Sequence, residues 1–251
     1  MPNFDLRGKA ILVTGAGRGL GRGMALAVAA AGGRVVAVAR TGPQLDETVA
    51  AAPPDSVSAL EWDLSELDSA AGLVAAAERA AGPIWGVVHA AGVQHRSPAV
   101  DVSVDDWRRV LALDLEAPFF LSTALRRHQE RAGVSGSHVF VGSLTSTLGI
   151  SCIAPYAASK SGLLGVVRTL AVEWATTGTR VNAIAPGYYE TQLTASAFED
   201  AERAAWIRSR IPMGRLGRAQ DLAGAVTFLL SDASEYITGQ SIAVDGGWTA
   251  G

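Results

Sequence analysis

Short apolar runs, rich in β-branched residues, recur along this chain between longer alanine- and leucine-rich stretches, and no other feature restricts its fold as much. Runs at 10–14, 35–39, 57–62, 84–89, 138–142 and 181–184 have strand length. The stretches between them, at 20–31, 70–81, 105–113, 116–131, 156–176 and 220–230, have helical length and mixed apolar faces. The strand runs are continuously apolar rather than alternating, as strands covered on both faces must be. Each strand-helix-strand unit is expected to cross over right-handed. The expected fold class is therefore α/β, a doubly wound parallel sheet of about seven strands flanked by helices. Residues 1–251 contain no repeat, charge block or proline- and serine-rich linker, so one domain is expected. The least regular long stretch, 187–213, is expected to be a lid, because long connections in compact domains commonly cover binding sites.

Composition narrows the function classes. At 251 residues the chain can bury one sizeable core. A net charge of −3 offers no basic stripe for a nucleic acid backbone. Charged residues interrupt every apolar stretch before the roughly 20 residues that a membrane span needs. Residues 1–7 hold no apolar core behind basic residues, so a cytoplasmic location is the expectation. Cys152 is the only cysteine and the four histidines are scattered, so neither a disulfide nor a metal centre is expected.

Two motifs carry chemistry. The first is the turn Thr14-Gly-Ala-Gly-Arg-Gly-Leu-Gly21, in which Gly15 closes the first strand and Gly19, Leu20 and Gly21 open the first helix. Helix-terminal N–H groups at such a turn can receive a pyrophosphate, and glycine lets it approach. The spacing differs from the Gly-x-Gly-x-x-Gly dinucleotide fingerprint, and no lysine follows to make a triphosphate loop. The second motif is Pro155-Tyr-Ala-Ala-Ser-Lys160, where Tyr156 and Lys160, four apart, share one helix face. A phenol titrates near 10, so proton transfer near pH 7 asks for roughly 4 kcal/mol of phenolate stabilisation. A neighbouring ammonium and an oxidised nicotinamide can both contribute.

Taken together these residues resemble the short-chain dehydrogenase/reductase family, whose nucleotide turn is Thr-Gly-x-x-x-Gly-x-Gly on a Rossmann-type sheet. Ser143 precedes Tyr156 by thirteen residues, the family's separation between catalytic serine and tyrosine. The resemblance implies that Ser143 holds the substrate oxygen, Tyr156 exchanges its proton, and Lys160 lowers the tyrosine pKa and anchors the nicotinamide ribose. The family's fourth catalytic position, an asparagine, falls in Trp107-Arg-Arg-Val-Leu-Ala-Leu-Asp114 and is Asp114 here. In relatives its main-chain carbonyl holds a water; a carboxylate beside Lys160 would also favour the ammonium. His89-Ala-Ala-Gly92 stands where the family has Asn-Asn-Ala-Gly, so bonds bracing the central sheet must come from elsewhere, and His89 reads as a core or loop histidine. Ala91, Gly92 and Leu64 are implied cofactor neighbours, and Asp63 matches the residue that binds adenine. Pro186, Gly187, Tyr189 and Thr191 resemble the segment that binds the nicotinamide carboxamide. The second strand is followed by Arg40 instead of a carboxylate, and Arg18 lies in the turn; both can face a 2′-phosphate, so NADP is preferred and NAD stays open.

The resemblance extends through Ile211-Pro-Met-Gly-Arg-Leu-Gly217 and Tyr236-Ile-Thr-Gly-Gln-Ser-Ile-Ala-Val-Asp-Gly-Gly-Trp248. Within the family, Gly21-Arg-Gly-Met-Ala25, Val93-Gln-His-Arg96-Ser-Pro98 and Ala185-Pro-Gly-Tyr-Tyr189 look most like the sugar-acid dehydrogenases. Gln94, Arg96 and Tyr188 are candidate substrate contacts, with His95 beside them, since arginine offers a bidentate fork to a carboxylate. A 3-oxoacyl-[acyl-carrier-protein] reductase shares these catalytic residues, and a non-catalytic dinucleotide sensor is the alternative from another class. Ala157, Ala158, Gly162 and Gly165 would let another helix approach the Tyr156 helix, the tail near Trp248 could cover a neighbour, and a homotetramer is expected.

Overall fold

The structure is a computed structural model that describes residues 4–191, 198 and 200–251. Its strands are β1 (Ala10–Thr14), β2 (Arg34–Ala39), β3 (Val57–Glu61), β4 (Ile84–His89), β5 (Ser137–Val141), β6 (Arg180–Pro186) and β7 (Ser241–Val244). The α-helices are α1 (Gly19–Ala30), α2 (Gly42–Ala50), α3 (Ala70–Ala81), α4 (Val104–Leu111), α5 (Ala117–Ala132), α6 (Ala154–Trp174), α7 (Ala201–Ser209) and α8 (Ala223–Leu230). The strands form one sheet of seven in the order β3-β2-β1-β4-β5-β6-β7, and every pairing is parallel.

Pleating explains the unbroken apolar runs. In β1, Ile11 and Val13 face a core shared with Met24 and Val28 of α1 and Val226 and Leu229 of α8. Ala10 and Leu12 face the opposite core, with Leu73 and Ala77 of α3 and Leu121 and Leu125 of α5. Farther along the sheet, Phe140, Val181 and Ala183 meet Leu163, Val167 and Leu170 of α6. The order of strands reverses between β1 and β4, and a doubly wound sheet offers a ligand crevice beyond the carboxyl ends at such a point.

Three elements lie outside the sequence expectation. Helix α2 buries only Leu45 and Thr48, and α7 only Ala204 and Ile207, so neither shows a full apolar stripe. Pro43 in the first turn starts α2, and the Asp200 carboxylate caps α7 by accepting the Arg203 N–H at 2.7 Å. Strand β7 is four residues at the sheet edge with alternate residues exposed. The stretch 187–213 expected to be irregular is thus partly helical; 192–197 and 199 within it lie outside the described residues. Among the described residues no helix is long and apolar enough to cross a membrane.

Candidate active site

Beyond β1 the chain turns at Gly15 with φ +66 and reaches α1 at Gly19 with φ +56, conformations that glycine adopts without a Cβ clash. A Cβ on Gly15 would lie 2.8 Å from the Ala91 backbone, and one on Gly21 would overlap the Gly15 carbonyl. Among the described residues a Cβ on Gly19 would meet Thr191, at 3.8 Å, and so would stand in the gap between the turn and the segment after β6. The N-cap residue, Arg18, makes no side-chain cap bond among the described residues, and a helix N-terminus of this kind suits an anion. These features fit a dinucleotide pyrophosphate.

The turn is strapped by residues that its glycine pattern does not reveal. Arg22 donates to the Gly17 carbonyl at 2.6 and 3.0 Å, to Gln44 O at 3.2 Å and to Glu47 at 2.7 Å. Thr48 donates to Ala16 O at 2.8 Å, so α2 holds the turn from one side. From the other, Thr14 Oγ1 accepts the N–H groups of Ala90 (3.1 Å) and Ala91 (3.2 Å). This hydroxyl supplies bracing for a β4 end that lacks the asparagine side chains. His89 also braces: its Nε2 meets Ser122 Oγ at 2.7 Å, and its ring lies 4.5 Å from Phe140.

At the end of β5, Ser143 Oγ accepts the Thr145 N–H at 3.1 Å, which leaves the hydroxyl proton to donate elsewhere. Ser143 faces the Tyr156 phenol and acts to lower its pKa. One turn along α6, Lys160 Nζ lies 5.5 Å from the tyrosine ring centroid. It donates to Val141 O at 3.0 Å and stands 3.4 Å from Asp114 Oδ2. Asp114 occupies a π-helical turn, Ala112–Glu116, between α4 and α5. Its Oδ1 accepts the Val93 N–H at 2.8 Å, an approach that Gly92 permits, since a Cβ there would lie 3.1 Å from Oδ2. Asp114 therefore works through its carboxylate, linking the segment after β4 to Lys160, in addition to any role of its carbonyl.

Burial pushes the Asp114 carboxyl up, opposed by the Lys160 ammonium and the Val93 N–H. The Tyr156 phenol also moves up: burial outweighs the lowering by Lys160, Asp114 adds to the rise, and Ser143 opposes it. The expectation that Lys160 makes this phenol acidic is corrected to that extent. The ammonium acts in that direction, but Asp114 beside it acts the other way and desolvation outweighs it.

A family model described as enoyl-(acyl carrier protein) reductase matches residues 15–249. A 2-dehydro-3-deoxy-D-gluconate 5-dehydrogenase of Dickeya dadantii (strain 3937) is 39% identical over 247 residues, 98% of each chain. The chain belongs to the short-chain dehydrogenase/reductase family. A solved putative short-chain alcohol dehydrogenase from Sinorhizobium meliloti 1021 superposes with a TM-score of 0.95 at 42% identity, over 99% of each chain. A putative NAD(P)-dependent gluconate 5-dehydrogenase from Beutenbergia cavernae, solved with bound NADP, gives a TM-score of 0.92 at 41% identity, again over 99% of each chain. This short-chain dehydrogenase/reductase is accordingly an oxidoreductase of the class that acts on CH–OH groups, with NADP or NAD as cofactor.

The remaining cofactor candidates of this short-chain dehydrogenase/reductase are distributed as follows. Arg18 is exposed at the start of α1, and Arg40 is exposed after β2, near enough to Asp63 to help hold that carboxyl below its usual range. The larger cause is Ser65, whose N–H and hydroxyl donate to Asp63 Oδ1 at 2.9 and 2.7 Å, so one oxygen is already engaged. Leu20 and Leu64 line the apolar cores near the turn. Pro186 ends β6, and Gly187 donates to Val244 O at 3.2 Å with its Cα against Asp245. Tyr189 is buried, its hydroxyl donating to Val244 O at 2.8 Å, and burial raises its pKa.

The substrate candidates divide. Gln94 and Arg96 are half-buried beyond β4. Arg96 donates to Ser151 O at 3.4 Å, while its buried Nε has no hydrogen-bond partner among the described residues. Burial lowers its pKa, and the Arg203 charge lowers it further. His95 is drawn away: its Nδ1 lies 3.4 Å from Asp106, so it belongs to a surface pair with α4. Tyr188 stacks 5.0 Å from Trp248. Trp248 itself is 4% exposed against Leu144, Ile207, Ile211 and Leu216, so the tail covers its own chain at this residue. Gly162 likewise faces inward, since a Cβ there would lie 3.1 Å from Leu115; Gly165 has open space. Among the described residues no group of three or more His, Cys, Asp or Glu is placed to hold a metal ion.

Proposed function

We propose that this protein is an NADP-preferring dehydrogenase that interconverts a sugar acid and its keto form, with Ser143, Tyr156 and Lys160 as catalytic residues and Asp114 fixing Lys160. The observation that carries the proposal is the buried cluster in which Lys160 is held by Val141 O and Asp114 beside Tyr156, next to a glycine cradle on the same sheet edge. When bound, the nicotinamide supplies or accepts the hydride, and its oxidised ring adds positive charge near the phenol. Tyr156 Oη gives or takes the proton at the substrate oxygen. Ser143 Oγ donates a hydrogen bond to that oxygen, because its own acceptor side is used by Thr145. Lys160 stabilises the phenolate and reaches the nicotinamide ribose. Alignment and charge stabilisation, with no covalent intermediate, supply the rate enhancement.

The relatives named for gluconates support the substrate class, and Arg96 supports it physically: a carboxylate would satisfy its orphaned Nε. Tyr188 and Gln94 border the same side. Arg40 and Arg18 support NADP, and Asp63, Leu64, Ala91, Gly92, Pro186, Gly187, Tyr189 and Thr191 complete the cofactor site. The segment 187–213 is the lid of this reading. Exposed Trp107, Phe120 and Val172 on α4, α5 and α6 support a homotetramer, which light scattering at micromolar concentration would refute by showing a monomer.

A screen of sugar acids, 3-oxoacyl thioesters, cyclic ketones and steroids, followed by nicotinamide absorbance, tests the substrate. Sugar acids should give the highest kcat/KM. Turnover of acyl thioesters alone would favour the acyl-carrier reading, and tight NADPH binding without turnover of any carbonyl would favour the sensor. NADPH should bind more tightly than NADH by fluorescence titration, and Arg40→Ala should remove the difference; equal affinities in the parent would overturn the cofactor preference.

A further inference from the structure

Tyr188 lies on a stretch of backbone that is fastened on both sides. Gly187 N–H donates to Val244 O at 3.2 Å and the Tyr189 hydroxyl donates to the same carbonyl at 2.8 Å. The main chain is thus tied to β7, and the direction of the Tyr188 ring is left to whatever packs on it. Its ring neighbours are Trp248, at 5.0 Å between centroids and 48° between planes, and Phe198, edge-on at 6.2 Å.

The segment carrying Trp248 is shaped to deliver it there. Asp245 accepts the N–H groups of Gly247 and Thr249, each at 2.9 Å, and the Thr249 hydroxyl at 2.7 Å. Gly246 and Gly247 have φ of +66 and +90, so the turn is closed to residues with a Cβ on conformational grounds. It is also closed on steric grounds, because a Cβ on Gly246 would lie 2.8 Å from Ile211 and one on Gly247 3.0 Å from Pro212. Gly246 O accepts the Met213 N–H at 3.1 Å. The turn is therefore moulded onto the end of α7, and the indole it presents is buried among Ile207, Ile211 and Leu216 of that region. On its other side the same cluster includes Leu144, the residue after Ser143. Trp206 meets the indole edge-on at 5.7 Å, and Arg210 lies 5.3 Å over it.

We propose that Trp248 is a positioning residue for the substrate side of the site, holding the Tyr188 ring and α7 in register with the strand end that carries Ser143. Its apolar cluster includes neither the glycine cradle nor Lys160, so its effect is expected on substrate affinity rather than on the cofactor. Its kinetic arm rests on the sugar-acid reading above; its structural arm does not.

The test compares Trp248→Leu, which keeps bulk but loses the aromatic face, with Trp248→Phe, which keeps the face, in the full chain. KM and kcat for D-gluconate with NADP, NADPH affinity by fluorescence and amide hydrogen exchange over 201–213 are measured for each. Trp248→Leu should raise KM about tenfold, change kcat less than about threefold and leave NADPH affinity as in the parent. Exchange over 201–213 should accelerate while that over 15–21 does not, and Trp248→Phe should restore both KM and exchange. An unchanged KM in Trp248→Leu, or equal losses of substrate and NADPH affinity in both variants, would overturn the proposal. If the parent turns over no sugar acid, the substrate reading fails, and the exchange comparison decides alone: equal protection of 201–213 in Trp248→Leu and parent overturns it.

Discussion

Lys160 and His89 are each 4% exposed beneath the carboxyl edge of the same sheet, yet the structure gives them opposite surroundings. Lys160 has a carboxylate 3.4 Å away and a carbonyl acceptor at 3.0 Å. His89 has a serine hydroxyl, which also meets His138 Nδ1 at 3.1 Å; the chain ends at Gln129, 3.3 Å from His138 Nε2 and donating to Trp85 O at 2.9 Å. Hydroxyl and amide partners satisfy neutral rings but do not offset the loss of water around a charge. Burial therefore drives His89 well below its usual range and His138 to about 3. The comparison teaches that depth alone does not make a reactive group. A counter-ion suits one cluster to the proton transfer proposed above, and its absence leaves the other as structural support.

The sharpest break between the two clusters is Tyr156→Phe. Turnover should fall by about 10³-fold or more, as expected for loss of a general acid-base group, while NADPH binding stays near the parent value by fluorescence. Retained turnover would remove the distinction altogether. Asp114→Ala tests the counter-ion itself: Lys160 would be left buried against a carbonyl only, with a cost to stability of about 3 kcal/mol read from urea unfolding. A loss no larger than that of an ordinary surface substitution would show that the pair does not hold the site together.

The neutral cluster has the reverse pH signature. A histidine whose folded pKa is depressed stays neutral in the native state while the unfolded chain takes up a proton below about 6.5, so stability falls with pH through that region. With His138 near 3, its contribution at pH 5 relative to pH 7 should be a loss of about 2 kcal/mol, and His138→Gln should flatten that part of the stability profile. An unchanged profile would place His138 in water in the native state. The smallest effect is a shift in rate profile. Asp114 raises the Tyr156 pKa, so Asp114→Asn should move the acid limb of alcohol oxidation to lower pH, by about one unit or less. A shift to higher pH would contradict the electrostatic account.

The sheet was legible because strands buried on both faces must be apolar throughout, and Ile11 and Val13 serve one core while Ala10 and Leu12 serve the other. Helices that bury a single position or two, such as α2 and α7, carry no comparable period, and four-residue β7 is too short to register. In the site, local spacing together with the family resemblance brought out Tyr156, Lys160 and the glycine turn, because each is a local geometric requirement. The straps were silent: Arg22 of α1 and Thr48 of α2 tie the turn to α2, and Thr14 holds it from the end of its own strand. A polar residue reads the same in sequence whether it meets water or a buried carbonyl.

The chain's own order of residues determined a doubly wound sheet and pointed to the proposed cofactor turn and to the serine, tyrosine and lysine proposed for the reaction, since helix period, strand pleat and glycine conformation act over a few residues. Only the tertiary structure decided which charges meet. It set Asp114 between Val93 and Lys160, turned His95 toward Asp106, and folded Trp248 back onto α7. The physical reason is that electrostatic and aromatic contacts depend on distances between segments far apart in the chain, and those distances are fixed by packing of the cores.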